Sequence, residues 1–422
     1  MTPQQEQAAF RTIIEDYLFP MFPGMAFDAG AQPQPAPRSR KLVSWVGGRI
    51  GFKIKPMPTS NYVYVVRRSQ AFARSDLSIV TNLVEEMVGL LSQWSKPYRQ
   101  ELANALMSRI VARSAEFLVN ADFVAEVIDV LTEWAQQTYE GQRITVSVGI
   151  RNWGNPVPGP TFRDAVAHDF AKVITNGHDT LLCCKETGEI IEHLQLPVRT
   201  GTTVYAPYPF VPLAEWTKTI HAVAIVLNRN GEILVFSHGE LSFAKRRGKW
   251  RYFSHKAAVT QLANRKLGNE ATEKSLREAV YLTALDVAFS RGGGCIGLED
   301  RQIPPNAQGG HLLSVTPPDL LSSGGELRTV VKRALVADRK FQDIDRRLRQ
   351  ELTGIDGATV LDGRGNILAT GAILTITGGS SGGARKAAAI ELGNRGIGVK
   401  ISSDGDVKVF SGGSAEPFLQ FG

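Results

Sequence analysis

The stretch that most constrains this chain runs from Gly354 to Phe410. It holds Gly-Ile-Asp-Gly-Ala-Thr-Val-Leu and, further on, Ile-Leu-Thr-Ile-Thr-Gly-Gly-Ser-Ser-Gly-Gly-Ala-Arg-Lys-Ala-Ala-Ala-Ile-Glu-Leu. Apolar Ile373, Leu374 and Ile376 predict a buried strand, and the glycines at 378–383 break it. Strong helix formers resume at 385–392, Ala387, Ala388 and Ala389 among them. The start of such a helix offers unpaired N–H groups and the positive end of a dipole, which stabilise an anion. Arg385 and Lys386 in the first turn oppose that dipole, so their place there makes sense beside something negative. A phosphate is the simplest such group.

Gly378 and Gly383 have the spacing of the two glycines in a P-loop, but Ala384-Arg385 stands where that motif needs Lys followed by Ser or Thr. It is not a P-loop. From the loop alone, a phosphate cradle and a plain surface turn fit equally well. Asp356 adds the second observation. It lies between a helix ending near Gly354 and an apolar run at 358–361, which pairs with 366–369 across the hairpin signal Asp362-Gly363-Arg364-Gly365. A carboxylate where a helix hands over to a strand is well placed for chemistry, although a capping or turn role would explain a lone Asp.

These residues resemble the diadenylate cyclase domain of DisA-type proteins, which joins two ATP molecules into cyclic di-AMP. Asp356-Gly357-Ala358 matches that family's Asp-Gly-Ala motif in full. The segment from Gly383 to Ala389 aligns in part with its Gly-Thr-Arg-His-Arg-Ala-Ala motif: Arg385 falls on the first Arg, Lys386 replaces the His, and Ala387 replaces the second Arg. Ser402-Ser403-Asp404 stands where the family has Ser-Glu-Glu. The order of elements from about Ala214 is similar to that of divergent offshoots, the DACNV type, regarded as nucleotide sensors of bacterial conflict systems. The resemblance implies an α/β C-terminal domain, a mixed sheet flanked by helices, after a helical and β-containing N-terminal half. It implies a site in which Ser380, Ser381, Gly382, Gly383 and Arg385 hold phosphates and Lys386 adds charge. Asp356, with Gly357 and Ala358, would orient Mg²⁺ or Mn²⁺ or a ribose hydroxyl. A working cyclase would need two such domains face to face, hence a homodimer. A sensor would bind a nucleotide or nucleotide-derived signal and act on an effector protein. Departures at the charged positions favour binding over turnover, because charge stabilisation is most of what a phosphoryl-transfer enzyme supplies.

At 422 residues there is material for two or three domains. We divide the chain into an N-terminal region with a helical subdomain (1–140), a β-rich connection (141–213) and the cyclase-like domain (214–422). A hydrophobic content of 43% and a charged content of 21% are those of an ordinary soluble protein. No apolar run has the length of a membrane span, and the start lacks the basic-then-apolar order of a signal peptide, so a cytoplasmic protein without a membrane partner is expected. Cys183, Cys184 and Cys295 read as reduced, buried strand residues. Seven histidines without metal-ligand spacing argue against zinc, and no Gly-x-Ser-x-Gly elbow is present.

The formal charge of +7 suits an anionic partner, nucleotide or nucleic acid. The basic turn 245–251 places cations beside Trp250 and Tyr252, a mix that can grip phosphate and stack on a base, or simply form a solvated hairpin tip. The helices carry no recognition motif, which argues against nucleic acid. Proline- and glutamine-rich 31–38 predicts an extended connection. Helical periodicity runs through 77–139, with Ile79, Leu83 and Met87, then Leu102, Leu106 and Ile110, then Phe123, Val127, Leu131 and Trp134 as its stripe. Further helices are expected over 162–174, 273–290 and 328–352, the last with Arg346, Arg347 and Arg349 on solvated faces.

Overall fold

The chain divides after Ser254 into two units, Met1–Ser254 and His255–Gly422. The computed structural model describes residues 2–30, 38–46, 48–57, 59–91, 99–114, 119–152, 159–197, 204–218, 222–267, 274–299, 319–321, 327–336, 338–374, 376 and 383–422. The Pro-rich 31–37 stretch and Ser380, Ser381 and Gly382 lie outside these.

In the first unit, α1 (Pro3–Ile13) opens on a capping box between Thr2 and Gln5 and leads through a π-helical turn to the short α2 (Phe19–Met21). Strands β1 (Met25–Phe27), β2 (Val43–Val46), β3 (Arg49–Phe52) and β4 (Tyr64–Arg68) form an antiparallel sheet in the order β1-β4-β3-β2. The helical block is α3 (Arg74–Leu91), α4 (Arg99–Ser114) and α5 (Ala121–Trp134), the last started by the Asn120 side chain. Ile79, Leu83, Met87, Val127, Leu131 and Trp134 are buried as their spacing predicts, whereas Leu102 is exposed. A two-strand ribbon follows, β5 (Thr138–Tyr139) with β6 (Gln142–Arg143). Then come β7 (Val146–Arg151), α6 (Phe162–Val166), β8 (Thr180–Lys185), β9 (Ile190–Gln195) and α7 (Val211–Trp216). The unit closes with β10 (Ala222–Leu227), β11 (Ile233–Ser237), β12 (Glu240–Arg246) and β13 (Lys249–Tyr252). The single helix expected over 162–174 is instead α6 plus a 3-10 turn, because His168 takes up extended backbone between them. The larger sheet runs β13-β12-β11-β10-β7-β8-β9, so it draws strands from both sides of residue 213.

The second unit contains α8 (His255–Asn264), α9 (Lys274–Phe289), β14 (Gly294–Glu299), α10 (Leu327–Val336), α11 (Arg346–Gly354), β15 (Ala358–Asp362), β16 (Ile367–Ala372), α12 (Ala384–Arg395), β17 (Gly396–Ile401), β18 (Val407–Ser411) and β19 (Leu419–Phe421). Its sheet runs β16-β15-β14-β17-β18-β19, with β14 and β15 parallel and the other pairs antiparallel. Successive strand residues face opposite ways. Gly297 has Leu392 of α12 above it and Gly294 has Thr353 of α11, so helices flank both faces of this mixed sheet. The chain is thus α/β, as the sequence implies.

Two local expectations need correction. The 328–352 segment is not one helix: Asp338 adopts positive φ, a 3-10 turn follows at Phe341–Asp343, and Asp345 caps a new start. Nor are its arginines all solvated. Arg346 makes a two-pronged ion pair with Asp286 of α9, both bonds 2.7 Å, and Arg349 is buried against Phe341. The buried strand expected at Ile373, Leu374 and Ile376 also fails. Strand β16 ends at Ala372, and Ile373 is 58% exposed, its N–H donated to the Asp319 carboxylate at 3.0 Å.

Where β14 and β17 cross, Gly297 pairs with Gly398. A Cβ at Gly398 would run into the Ala389 backbone, its carbonyl carbon 2.7 Å away, and one at Gly297 would meet Leu392. This glycine window lets α12 settle directly onto the sheet.

At the far end of β14 the buried Glu299 lies 4.0 Å from Arg395, and burial pushes its carboxyl up to about 7 despite that arginine. A carboxyl whose folded pKa is raised contributes stability that is fully present below its unfolded value, near 4.5, and lost as pH rises through about 7. Melting temperature should therefore fall over that window, and Glu299→Gln should flatten the fall. Equal slopes in both proteins would refute the assignment.

Cys183, Cys184 and Cys295 are free and buried, as expected. Among the described residues no helix is long and apolar enough to cross a membrane.

Candidate functional site

Register brings Asp356, Gly357 and the start of α12 with Arg385 and Lys386 to one edge of the second unit's sheet. Ile296 pairs with Thr359 in the parallel β14–β15 ladder, so the start of β14 lies beside Asp356-Gly357. Gly294 pairs with Ile401 and Ala358 with Ala372, so Ser402-Ser403-Asp404 and Ile373 leave the sheet at the same edge. Helix α12 runs back over the sheet into β17, which brings its N-terminus to this edge too. The Arg385 guanidinium occupies the space a side chain at Gly293 would fill.

The Asp-Gly-Ala sequence has a local structural reason. Helix α11 stops at Gly354, Ile355 turns to extended backbone, and Asp356 emerges exposed. Gly357 follows at φ +108°, where a Cβ would stand 2.5 Å from the Gly371 carbonyl carbon and 2.7 Å from the Ala372 oxygen. Only glycine fits between these strands with that backbone. Ala358 is buried in the core under α12 with Cys295, Val360, Ala389 and Leu392. The strand pair thus holds Asp356 outward at a fixed place.

Gly383 is the N-cap residue of α12, with φ +79°, and Arg385 and Lys386 occupy the first turn, exposed and half-buried. Its first amides are only partly used: Lys386 and Ala387 N–H both reach back to the Gly383 oxygen, at 3.1 and 3.2 Å. Among the described residues the side chains of Asp356, Arg385 and Lys386 make no hydrogen bond or ion pair with protein. Unpaired charges of both signs at one edge are what a phosphate with a companion cation would satisfy. No group of three or more His, Cys, Asp or Glu among the described residues could hold a metal alone. Mg²⁺ is commonly held by one or two carboxylates plus substrate phosphates, and an exposed, unengaged Asp356 fits that role.

Ser402-Ser403-Asp404 forms the β17–β18 turn, and the Asp404 carboxylate accepts the Asp406 N–H at 3.4 Å, so it is partly spent on its own turn. Sequence reading missed Lys332 of α10. It is buried, donates to the Thr370 oxygen, and has its Nζ 3.5 Å from where a Gly371 Cβ would stand. Burial lowers its pKa, with Arg328 adding to the effect and Asp319 opposing it. Nothing in the local pattern of 328–336 marks that lysine, because its neighbours come from β16. Gly293 was visible as part of Arg291-Gly292-Gly293-Gly294, but its contact with Arg385 depends on the tertiary fold.

The basic turn of the first unit is a hairpin tip in which Lys245, Arg246 and Arg251 are engaged by the protein itself. Arg246 is buried and paired with buried Glu232 at 2.8 Å, which the Asn228 amide also holds. Lys245 donates to Thr132 Oγ1 at 3.2 Å and lies near the Trp250 ring, and Arg251 donates to the Pro20 carbonyl. Arg247 and Gly248, both at positive φ, make the two-residue turn, which leaves Arg247 and Lys249 as its exposed cations.

No protein-family model matches the chain, and no curated protein matches it in sequence. Solved structures that are similar include a double mutant of DacA from Staphylococcus aureus, at 20% identity and TM-score 0.23, covering 33% of this chain and 83% of that one. Another is a hypothetical membrane spanning protein from Bacillus cereus, at 17% identity and TM-score 0.23, covering 36% of this chain and 63% of that one.

Proposed function

We propose that the second unit binds a nucleotide or nucleotide-derived signal through its phosphates and serves as a sensor. The observation that carries this reading is the convergence of Asp356 and Arg385, unpaired among the described residues, on one sheet edge beside a helix N-terminus. Arg385 offers a planar fork to phosphate oxygens, Lys386 adds a point charge, and the first amides of α12 point the same way. When bound, Mg²⁺ or Mn²⁺ would neutralise phosphate charge beside Asp356. The loop of Ser380, Ser381 and Gly382 belongs to the proposed site on sequence grounds.

The second reading is an active diadenylate cyclase, favoured by the intact Asp356-Gly357-Ala358. There the 3′-hydroxyl of one ATP would attack the α-phosphate of another and expel pyrophosphate, with two copies of the domain face to face. Ala387 and Ser403 lack the charges that the cyclase motifs carry at those positions, which weakens stabilisation of the transferring phosphoryl group.

Incubation of the full chain with ATP and Mg²⁺ or Mn²⁺, read by native and small-molecule mass spectrometry, tests both. Bound but unconsumed nucleotide is expected. Steady formation of cyclic di-AMP would install the cyclase reading, and absence of any bound nucleotide would remove both.

A further inference from the structure

Strand β16 departs from regular pairing beside Asp356. Ala358 faces Ala372 and Val360 faces Ala369, so two steps along β15 are matched by three along β16. The extra residue makes a β-bulge at Thr370-Gly371, where Gly371 takes φ +60°. A bulge bends its strand and re-aims what lies beside it, and bulges gather next to functional sites. A Cβ at Gly371 would stand 2.7 Å from Ile355 Cγ2 and 3.1 Å from the Asp356 carbonyl oxygen. Reciprocally, a Cβ at Gly357 would stand 2.5 Å from the Gly371 carbonyl carbon. The bulge and the Ile355-Asp356-Gly357 turn are wedged together, so a shift in one displaces the other.

A side chain from outside the sheet holds this bulge. Lys332 of α10 donates its ammonium to the Thr370 carbonyl, and its Nζ lies 3.5 Å from the Gly371 Cβ position. Lys332 is only 8% exposed and makes no ion pair with a carboxylate among the described residues. Taking an ammonium out of water for a backbone carbonyl is costly, and an apolar side chain of similar length would fill the place without that cost. The rest of α10 shows the same preference for directed bonds. It turns Thr329, Lys332 and Val336 inward and leaves Leu327, Val330, Val331 and Leu335 exposed, while Arg333 donates to the Leu321 carbonyl. The helix is thus seated on β16 through polar contacts, and its lysine reaches the residues that back Asp356.

We propose that Lys332 is a positioning residue of the nucleotide site, a role that rests on the sensor reading: it pins the Thr370-Gly371 bulge, and the bulge fixes where Asp356 stands.

Lys332→Met removes the donor and nearly keeps the volume. Amide hydrogen exchange on the full chain without ligand is the first measurement. Exchange should quicken by about tenfold or more across 355–360 and 367–373, the loss expected for a hydrogen bond from a charged donor, and stay unaltered across 396–411. Unaltered exchange in the first two segments, or an equal rise in all three, would overturn the assignment. The second measurement is affinity for ATP with Mg²⁺, with Lys332→Met placed in the native chain and in Asp356→Asn. The loss should be about tenfold in the native chain and under about twofold beside Asp356→Asn, because residues acting as one unit are not additive. Equal losses in both backgrounds would mean that Lys332 does not act through Asp356. If the native chain binds no ATP, the nucleotide reading falls, and the exchange data alone decide whether Lys332 pins the bulge. If Lys332→Met does not fold, as its melting curve would show, Lys332→Gln takes its place in both measurements, its amide being one atom too short to reach Thr370.

Discussion

Replacing Arg385 with alanine should weaken nucleotide binding by about tenfold to more than a hundredfold and leave the free protein as stable as before, or more so. The affinity term is the loss of a charge-assisted hydrogen bond to phosphate, worth about 1.5–3 kcal/mol. The stability term has the opposite sign. Arg385 is exposed, has no ion-pair partner among the described residues, and sits in the first turn of α12, where a cation opposes the helix dipole. Alanine is also the better helix former. Its guanidinium does rest against Gly293, but that contact is at the surface and its loss opens no buried cavity. Melting temperature and nucleotide affinity measured on this one variant separate the two roles. Lower stability with unaltered affinity would make Arg385 a structural residue and remove it from the site.

Gly398→Ala should be among the most damaging single-methyl additions in the second unit. The new Cβ would enter the space held by the Ala389 carbonyl, with the Ala389 carbonyl carbon at 2.7 Å and Cα at 3.0 Å. These are backbone atoms of a helix and cannot rotate aside, so α12 must lift from β17. Overpacking of well-filled cores costs about 1–3 kcal/mol and occasionally more, and a clash with backbone belongs at the upper end. Because Arg385 rides on the same helix, nucleotide affinity should fall as well. Gly89→Ala in α3 is the matched control: nothing stands within 4 Å of its Cβ position, and it should be neutral or stabilising by up to about 1 kcal/mol. Chemical denaturation of the two variants checks this. Equal stabilities would mean that the helix is not seated through the glycine window.

Local signals in the sequence were reliable where the physics is local. The Asp-Gly-Arg-Gly turn does join β15 to β16, with Asp362 accepting the Arg364 and Asn366 N–H groups. The α12 start after Gly383 and the handover at Asp356 were legible for the same reason. What could not be read depends on partners distant along the chain. Ile373 looks like strand until the Asp319 carboxylate takes its N–H. Arg346 looks solvated until Asp286, sixty positions earlier, reaches it. Lys332 joins the site only because α10 lies on β16. The purpose of Gly398 is equally silent in sequence, since its neighbour is the backbone of another element.

The burial of the cysteines has a practical consequence for anyone placing a probe on this protein. Burial pushes all three thiols up to about 12. The thiolate is the reacting form, so at pH 8 only about one thiol in ten thousand would be reactive at these positions. The native chain therefore offers a silent background to thiol reagents. Ser403 is exposed in the β17–β18 turn at the same sheet edge as Asp356, so Ser403→Cys would carry a fluorophore to that edge alone. Occupancy of the edge could then be followed in the intact chain without removing any native residue that the site is thought to use.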